Sequence, residues 1–160
     1  ACGVASGAGF GFNTRSALIT RGLDEMKQLA EVVGGRRETV TGLAGVGDLT
    51  LTCSSERSRN MRFGVELGRG TPREQCFDGK PVLVEGERNA LSVTDLARAN
   101  GLRLPLCEAV RAFLHEGVPI PEAFAQLWAR PLEGEPRRLD LELEHPAADS
   151  AAEHFAKVMP

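Results

Sequence analysis

Apolar residues recur every three to four positions along most of this chain and almost never alternate in twos, a pattern that dictates helices and leaves little for a sheet. From Thr14 onward, Ile19, Leu23, Met26, Ala30 and Val33 fall on one helical face, with Asn13 or Thr14 as cap and Gly34-Gly35 as exit. After Ser58, a second face carries Met61, Val65 and Leu67 or Gly68, and Gly70 closes it. Thr71-Pro72-Arg73-Glu74 reads as a capping box with proline at the first helical position, opening a short helix to Phe77. A helix from Glu87 carries Ala90, Leu91, Thr94 and Ala97 and stops at Asn100-Gly101; Pro105 and Pro121 open two more. Pro81 to Val84 is the one extended-looking stretch, too short to pair into a sheet of its own. The expectation is an all-α bundle of about six helices over residues 14–131, with Leu23, Met26, Leu91, Val110, Phe113 and Phe124 in its core.

With 160 residues, 42% of them apolar and 26% charged, the chain can bury one core and is neither disordered nor fibrous. No window approaches the ~18 unbroken apolar residues of a spanning helix. A net charge of −3, the absence of tyrosine and only 5% aromatics argue against nucleic-acid binding, which needs a basic field and stacking platforms. Cys2, Cys53, Cys76 and Cys107 lie far apart and without neighbouring histidines, so they form neither a metal site nor a disulfide framework. They read as reduced, buried thiols in a cytoplasmic protein. Residues 131–160 hold seven acidic and three basic side chains with little periodicity. We therefore expect a helical domain over 1–131 and an acidic tail over 132–160, flexible or carrying one weak helix near Ala151 to Val158. The chain opens inside an Ala/Gly-rich packed segment without an initiating Met, as a piece of a larger polypeptide would. No βαβ alternation marks a complete dinucleotide-binding fold, and Gly7-Ala8-Gly9-Phe10-Gly11 follows no strand, so its use is close helix packing.

Chemistry concentrates between Gly42 and Asn60. Asp48 is a lone carboxylate in an apolar, glycine-rich run, where backbone can approach a ligand and a carboxylate can accept substrate hydroxyls or orient a base. Thr52 shares its face if the stretch is helical. Ser58, Arg59 and Asn60 then present a hydroxyl, a guanidinium and an amide at a helix start, the place and the groups that bind anions. Residues 56–73 contain five arginines against two glutamates. Plainer uses fit the same residues: Ser58 as an N-cap, Asp48 as cap of a helix over 49–53, the arginines as a solvated face. From spacing alone, the segment is a candidate anion site.

The strings GFGFNTRSALITRGLDEM, GLAGVGDLTLTC, SRNMRFG and VEG, in this order and spacing, resemble the C-terminal domain of bacterial-type NAD(P)-dependent glycerol-3-phosphate dehydrogenases over residues 1–131. The resemblance implies a helical substrate domain of the 6-phosphogluconate dehydrogenase C-terminal-like type, which in the family follows a Rossmann domain. It implies that Asp48 and Thr52 take the catalytic positions and that Asp48, Ser58, Arg59 and Asn60 hold substrate. Arg59, Leu83 and Glu85 would meet the cofactor, NAD or NADP. The family's catalytic lysine lies in a Lys-Asn segment before the position of Ala1, and Lys27, Lys80 and Lys157 match no such motif. Two departures stand out: Phe12 where the family usually has aspartate, and Glu87-Arg88-Asn89 after the VEG element.

The implied reaction passes a hydride between nicotinamide and the central carbon of dihydroxyacetone phosphate, giving sn-glycerol 3-phosphate for glycerophospholipid synthesis. The implied partners are that substrate pair, an N-terminal Rossmann domain of the same chain and a second copy in a homodimer, with no metal, nucleic acid or membrane span. Without the nucleotide fold and the lysine, the 160-residue chain is expected to be inactive alone. The competing readings are a non-catalytic helical module for oligomerisation or binding, and a 3-hydroxyacid or 6-phosphogluconate type dehydrogenase. The latter lacks the pairing of Gly-Asp-Leu with Ser-Arg-Asn.

Overall fold

The computed structural model describes residues 1–129, and every regular element among them is helical. In chain order these are α1 (Cys2–Gly7), α2 (Phe12–Val32), α3 (Arg37–Thr41), a π turn (Leu43–Gly47), α4 (Asp48–Ser54) and α5 (Arg59–Gly68). A 3-10 segment (Arg73–Gly79), α6 (Glu85–Ala99), α7 (Pro105–His115) and α8 (Ile120–Trp128) complete the set. The all-α expectation holds, and Pro81 to Val84 pairs with no strand. The differences are local: α3 was not expected, and α6 starts at Glu85 rather than Glu87. The opening Ala/Gly run is itself a helix, α2 starts at Phe12, α4 grows directly out of a π turn, and the capping box does not form. The acidic 132–160 segment and the helix expected near Ala151 lie outside the described residues.

The short α1 survives because it lies against α5 at backbone distance. A Cβ on Gly64 would sit 2.9 Å from the Gly3 Cα, one on Gly68 would meet the Ala8 nitrogen at 2.9 Å, and one on Gly7 would overlap the Val65 carbonyl. Glycine four apart on both helices therefore permits a contact that any side chain would prevent. Cys2, Val4 and Ala5 enter the main core from this contact, joining Leu18 of α2, Met61 and Val65 of α5, Leu106 and Ala109 of α7, and Phe124 and Leu127 of α8.

Of the six expected core residues only Phe124 is fully buried. Leu23, Leu91, Val110 and Phe113 are half-buried, and Met26 is exposed. On α2 the buried line runs through Leu18, Arg21 and Glu25, rotated off the apolar stripe. Those charges are buried because each meets the end of another helix. The Glu25 carboxylate accepts the Leu106 N–H at 2.5 Å and the Cys107 N–H at 3.0 Å, at the N-terminus of α7. Arg21 donates to the Leu127 carbonyl at 2.8 Å, at the C-terminus of α8, with its guanidinium over the Trp128 ring. Each charge opposes the local helix dipole and satisfies groups a helix end leaves bare.

A second, smaller core of Phe63, Cys76, Phe77 and Val84 lies under the loop between α5 and α6. Phe77 (φ 57°) and Asp78 (φ 59°) are both left-handed, a conformation that costs a non-glycine residue about 1–3 kcal/mol. Compensation is visible. The Phe77 ring stacks on Phe63 with centroids 6.2 Å apart, and its N–H donates to Glu66 at 2.6 Å. Burying one such ring contributes about 1.5–3 kcal/mol. The loop is thereby pinned to α5, which sets where α6 begins.

The cysteines are free thiols, Cys2 and Cys76 buried and Cys53 and Cys107 half-buried. Burial pushes the Cys76 and Cys107 thiols up, which keeps them protonated and inert. No described helix is long and apolar enough to cross a membrane, and no group of three metal-ligating side chains occurs among the described residues.

Candidate functional site

The starts of α5 and α6 meet beside the end of α4, and between them opens a pocket of about 580 Å³. Leu51, Thr52, Ser55, Arg57, Ser58, Arg59, Asn60 and Glu85 form its wall. Five of the residues singled out from sequence are thus brought together: Thr52, Ser58, Arg59, Asn60 and Glu85.

Each is placed for a local reason. Ser58 is extended (φ −68°, ψ 125°) and its Oγ accepts the Met61 N–H, so it caps α5 as the plainer reading held while still lining the pocket. Capping by Ser58 fixes the first turn of α5, whose remaining N–H groups leave the helix end beside Arg59 and Asn60. The Asn60 Oδ1 accepts the Gly86 N–H at 3.0 Å, capping α6 from α5. A Cβ on Gly86 would lie 2.9 Å from that oxygen, so any larger residue there makes the Asn60 side chain shift. Arg59 Nη1 donates to the Leu83 carbonyl at 3.3 Å, and its Nη2 lies 3.9 Å from the Glu85 carboxylate. Arg59, Leu83 and Glu85, the three expected cofactor contacts, thus form one continuous edge. The Leu83 side chain is exposed and its carbonyl makes the link.

The Arg59–Glu85 pair is open to water, with side chains 58% and 68% exposed. At that exposure an ion pair contributes at most about 1 kcal/mol, so an incoming anion can compete for the guanidinium. Asp48 and Thr52 lie one helical turn apart on α4, as their spacing requires. Thr52 lines the pocket; Asp48 is exposed at the first position of α4, outside the wall. No side-chain cap bond forms at that helix start, so Asp48 does not serve as the cap of a 49–53 helix.

The arginine run divides into distinct roles. Arg62 pairs with Glu66 at 2.8 Å and lies over Phe77, and Arg73 grips Glu87 with two bonds of 2.7 and 2.8 Å while covering Phe63. Those two hold the second core in place. Their partners Glu66 and Glu87 are held below the usual carboxylate range, first by the arginine hydrogen bond in each case. Leu51, Ser55 and Arg57 are pocket residues that the sequence did not single out. An apolar residue, a serine and one arginine among five carry no signal until the α4–α5 turn brings them to the wall.

A family model described as "NAD-dependent glycerol-3-phosphate dehydrogenase C-terminus" matches residues 1–125. A glycerol-3-phosphate dehydrogenase [NAD(P)+] of Caulobacter vibrioides is 48% identical over 135 residues, 84% of this chain and 41% of that protein. One from Legionella pneumophila is 45% identical over 135 residues, again 84% of this chain and 41% of the relative. Among solved structures, the glycerol-3-phosphate dehydrogenase of Coxiella burnetii superposes with a TM-score of 0.75 at 43% identity, covering 81% of this chain and 40% of that one. The chain spans about two fifths of the length of the relatives it matches.

Proposed function

The chain belongs to the family of C-terminal domains of NAD-dependent glycerol-3-phosphate dehydrogenases, and on that premise we propose that it is the substrate domain of an oxidoreductase interconverting dihydroxyacetone phosphate and sn-glycerol 3-phosphate. The observation that carries the reading is the pocket wall itself, where two guanidinium groups, a helix N-terminus, three hydroxyls and an amide converge. That donor set suits a phosphate monoester carrying a small polyol. Arg59, with Ser58 and Asn60, fixes the phosphate; Thr52 faces the carbon skeleton. Asp48, exposed one turn earlier, orients the family's catalytic lysine.

A nicotinamide dinucleotide supplies the hydride when bound. Arg59, Leu83 and Glu85 are adjacent on one edge of the pocket and suit a contact with its polar groups. The family membership, as the C-terminus of a dehydrogenase, supports a dinucleotide held chiefly by an N-terminal nucleotide-binding domain joined to this one. Gripping the phosphate aligns the carbonyl for the transfer. We place the enzyme in the cytoplasm, as a homodimer, feeding glycerophospholipid synthesis.

The test is substrate discrimination in an enzyme joining this domain to its nucleotide-binding domain. NAD(P)H-dependent reduction of dihydroxyacetone phosphate should far exceed that of uncharged dihydroxyacetone, and Arg59→Ala should erase most of the difference. An enzyme that reduces neither compound would favour the non-catalytic binding module.

A further inference from the structure

Arg57 is the second guanidinium in the pocket wall, and its situation differs from that of Arg59. Arg59 shares its charge with Glu85 and bonds the Leu83 carbonyl. Among the described residues no carboxylate lies within ion-pair distance of Arg57. Its sequence neighbour Glu56 acts on Arg62. The Arg57 backbone N–H donates to the Ser55 hydroxyl at 3.2 Å, which fixes the turn between α4 and α5 and sets the residue at the pocket.

The charge balance follows directly. Arg59 and Glu85 nearly cancel as seen by an incoming ligand, so the uncompensated positive charge of the wall is that of Arg57. A phosphate monoester is close to a dianion at neutral pH. One guanidinium already shared with a carboxylate leaves such a group under-matched; a second fork completes the match. We propose that Arg57 is a substrate-binding residue that captures the phosphate dianion, with Arg59 orienting what Arg57 has captured. The proposal rests on the phosphate-site reading above and adds a residue to it.

The experiment follows backbone amide signals of the 160-residue chain by NMR as inorganic phosphate is added at constant ionic strength. The wild-type chain should show saturable shifts at Thr52, Ser58, Arg59 and Asn60. Arg57→Gln should weaken phosphate by about threefold to fivefold, the range for a charge pair facing water, and Arg57→Lys should recover only part of that. Arg59→Gln should weaken it as well, whereas Arg69→Gln, at the far end of α5, should not. If Arg57→Gln binds like wild type while Arg59→Gln is impaired, the role of Arg57 is overturned and the phosphate site stands. If neither substitution matters, or the wild type shows no saturable shift at those amides, both readings fall.

Discussion

The amide oxygen of Asn60, in the first turn of α5, accepts the N–H of Gly86, in the first turn of α6, at 3.0 Å. That bond locks together the two helix starts that form the pocket. It also makes Asn60 both a wall residue and a cap, so substitution there carries a stability cost besides any effect on ligand.

A double-mutant cycle separates these parts. Asn60→Ala removes the acceptor and should destabilise the chain by about 1 kcal/mol in urea unfolding. Gly86→Ala should also destabilise, because its methyl meets the Asn60 oxygen at 2.9 Å. In the Asn60→Ala background the methyl meets no oxygen, and alanine is the better helix former by about 1 kcal/mol. Gly86→Ala should then become neutral or stabilising. Equal cost in both backgrounds would show that the two residues are not coupled.

The α1–α5 contact makes a sharper stability prediction. Gly64→Ala or Gly7→Ala drives a methyl into opposing backbone, which cannot yield as a side chain can. Each should cost about 3 kcal/mol, the upper end for overpacking, with loss of cooperativity in thermal unfolding. Gly22→Ala is the control, since its methyl would meet only the Leu106 side chain at 3.5 Å. A mild effect at Gly64 or Gly7 would mean that the helices separate at little cost.

What could be read in advance divides along the same lines. The helices α6, α7 and α8 were legible because periodicity and proline punctuation are local. The grouping of Ser58, Arg59 and Asn60 was legible because a cap and its first turn are consecutive residues. The burial of Arg21 and Glu25 was hidden, since it depends on the ends of α7 and α8, some eighty and a hundred residues away in sequence. Arg57 looked equivalent to Arg62 until the fold turned one to the pocket and the other to Glu66.

Two carboxylates should give pH dependences of opposite sign. Burial raises the Glu25 carboxyl above its ordinary value, although two backbone N–H groups partly offset this. Its contribution is fully present below the ordinary carboxylate range and is lost as pH rises through the raised folded value. Glu66 is lowered by its bond to Arg62, so its contribution is present above the ordinary value and lost as pH falls through the folded one. The stability difference between wild type and Glu25→Gln should therefore shrink with rising pH, and that for Glu66→Gln should grow. Urea unfolding across the acid range reads both; slopes of the same sign would contradict the assigned environments.

We propose that Arg59 grips a substrate phosphate at the meeting of α5 and α6. The most direct test is kcat/KM for dihydroxyacetone phosphate in an enzyme combining this domain with its nucleotide-binding domain, comparing wild type, Arg59→Ala, Arg59→Lys and Arg69→Ala. Leaving a bound phosphate without its guanidinium costs roughly 2–5 kcal/mol, at about 1.4 kcal/mol per tenfold in rate. Arg59→Ala should therefore lose on the order of 10²-fold or more, and Arg59→Lys should recover only part, since a point charge replaces a two-pronged donor. Arg69→Ala should match wild type. An Arg59→Ala enzyme with near wild-type kcat/KM would contradict the account and leave the Ser58–Asn60 segment as a helix start alone.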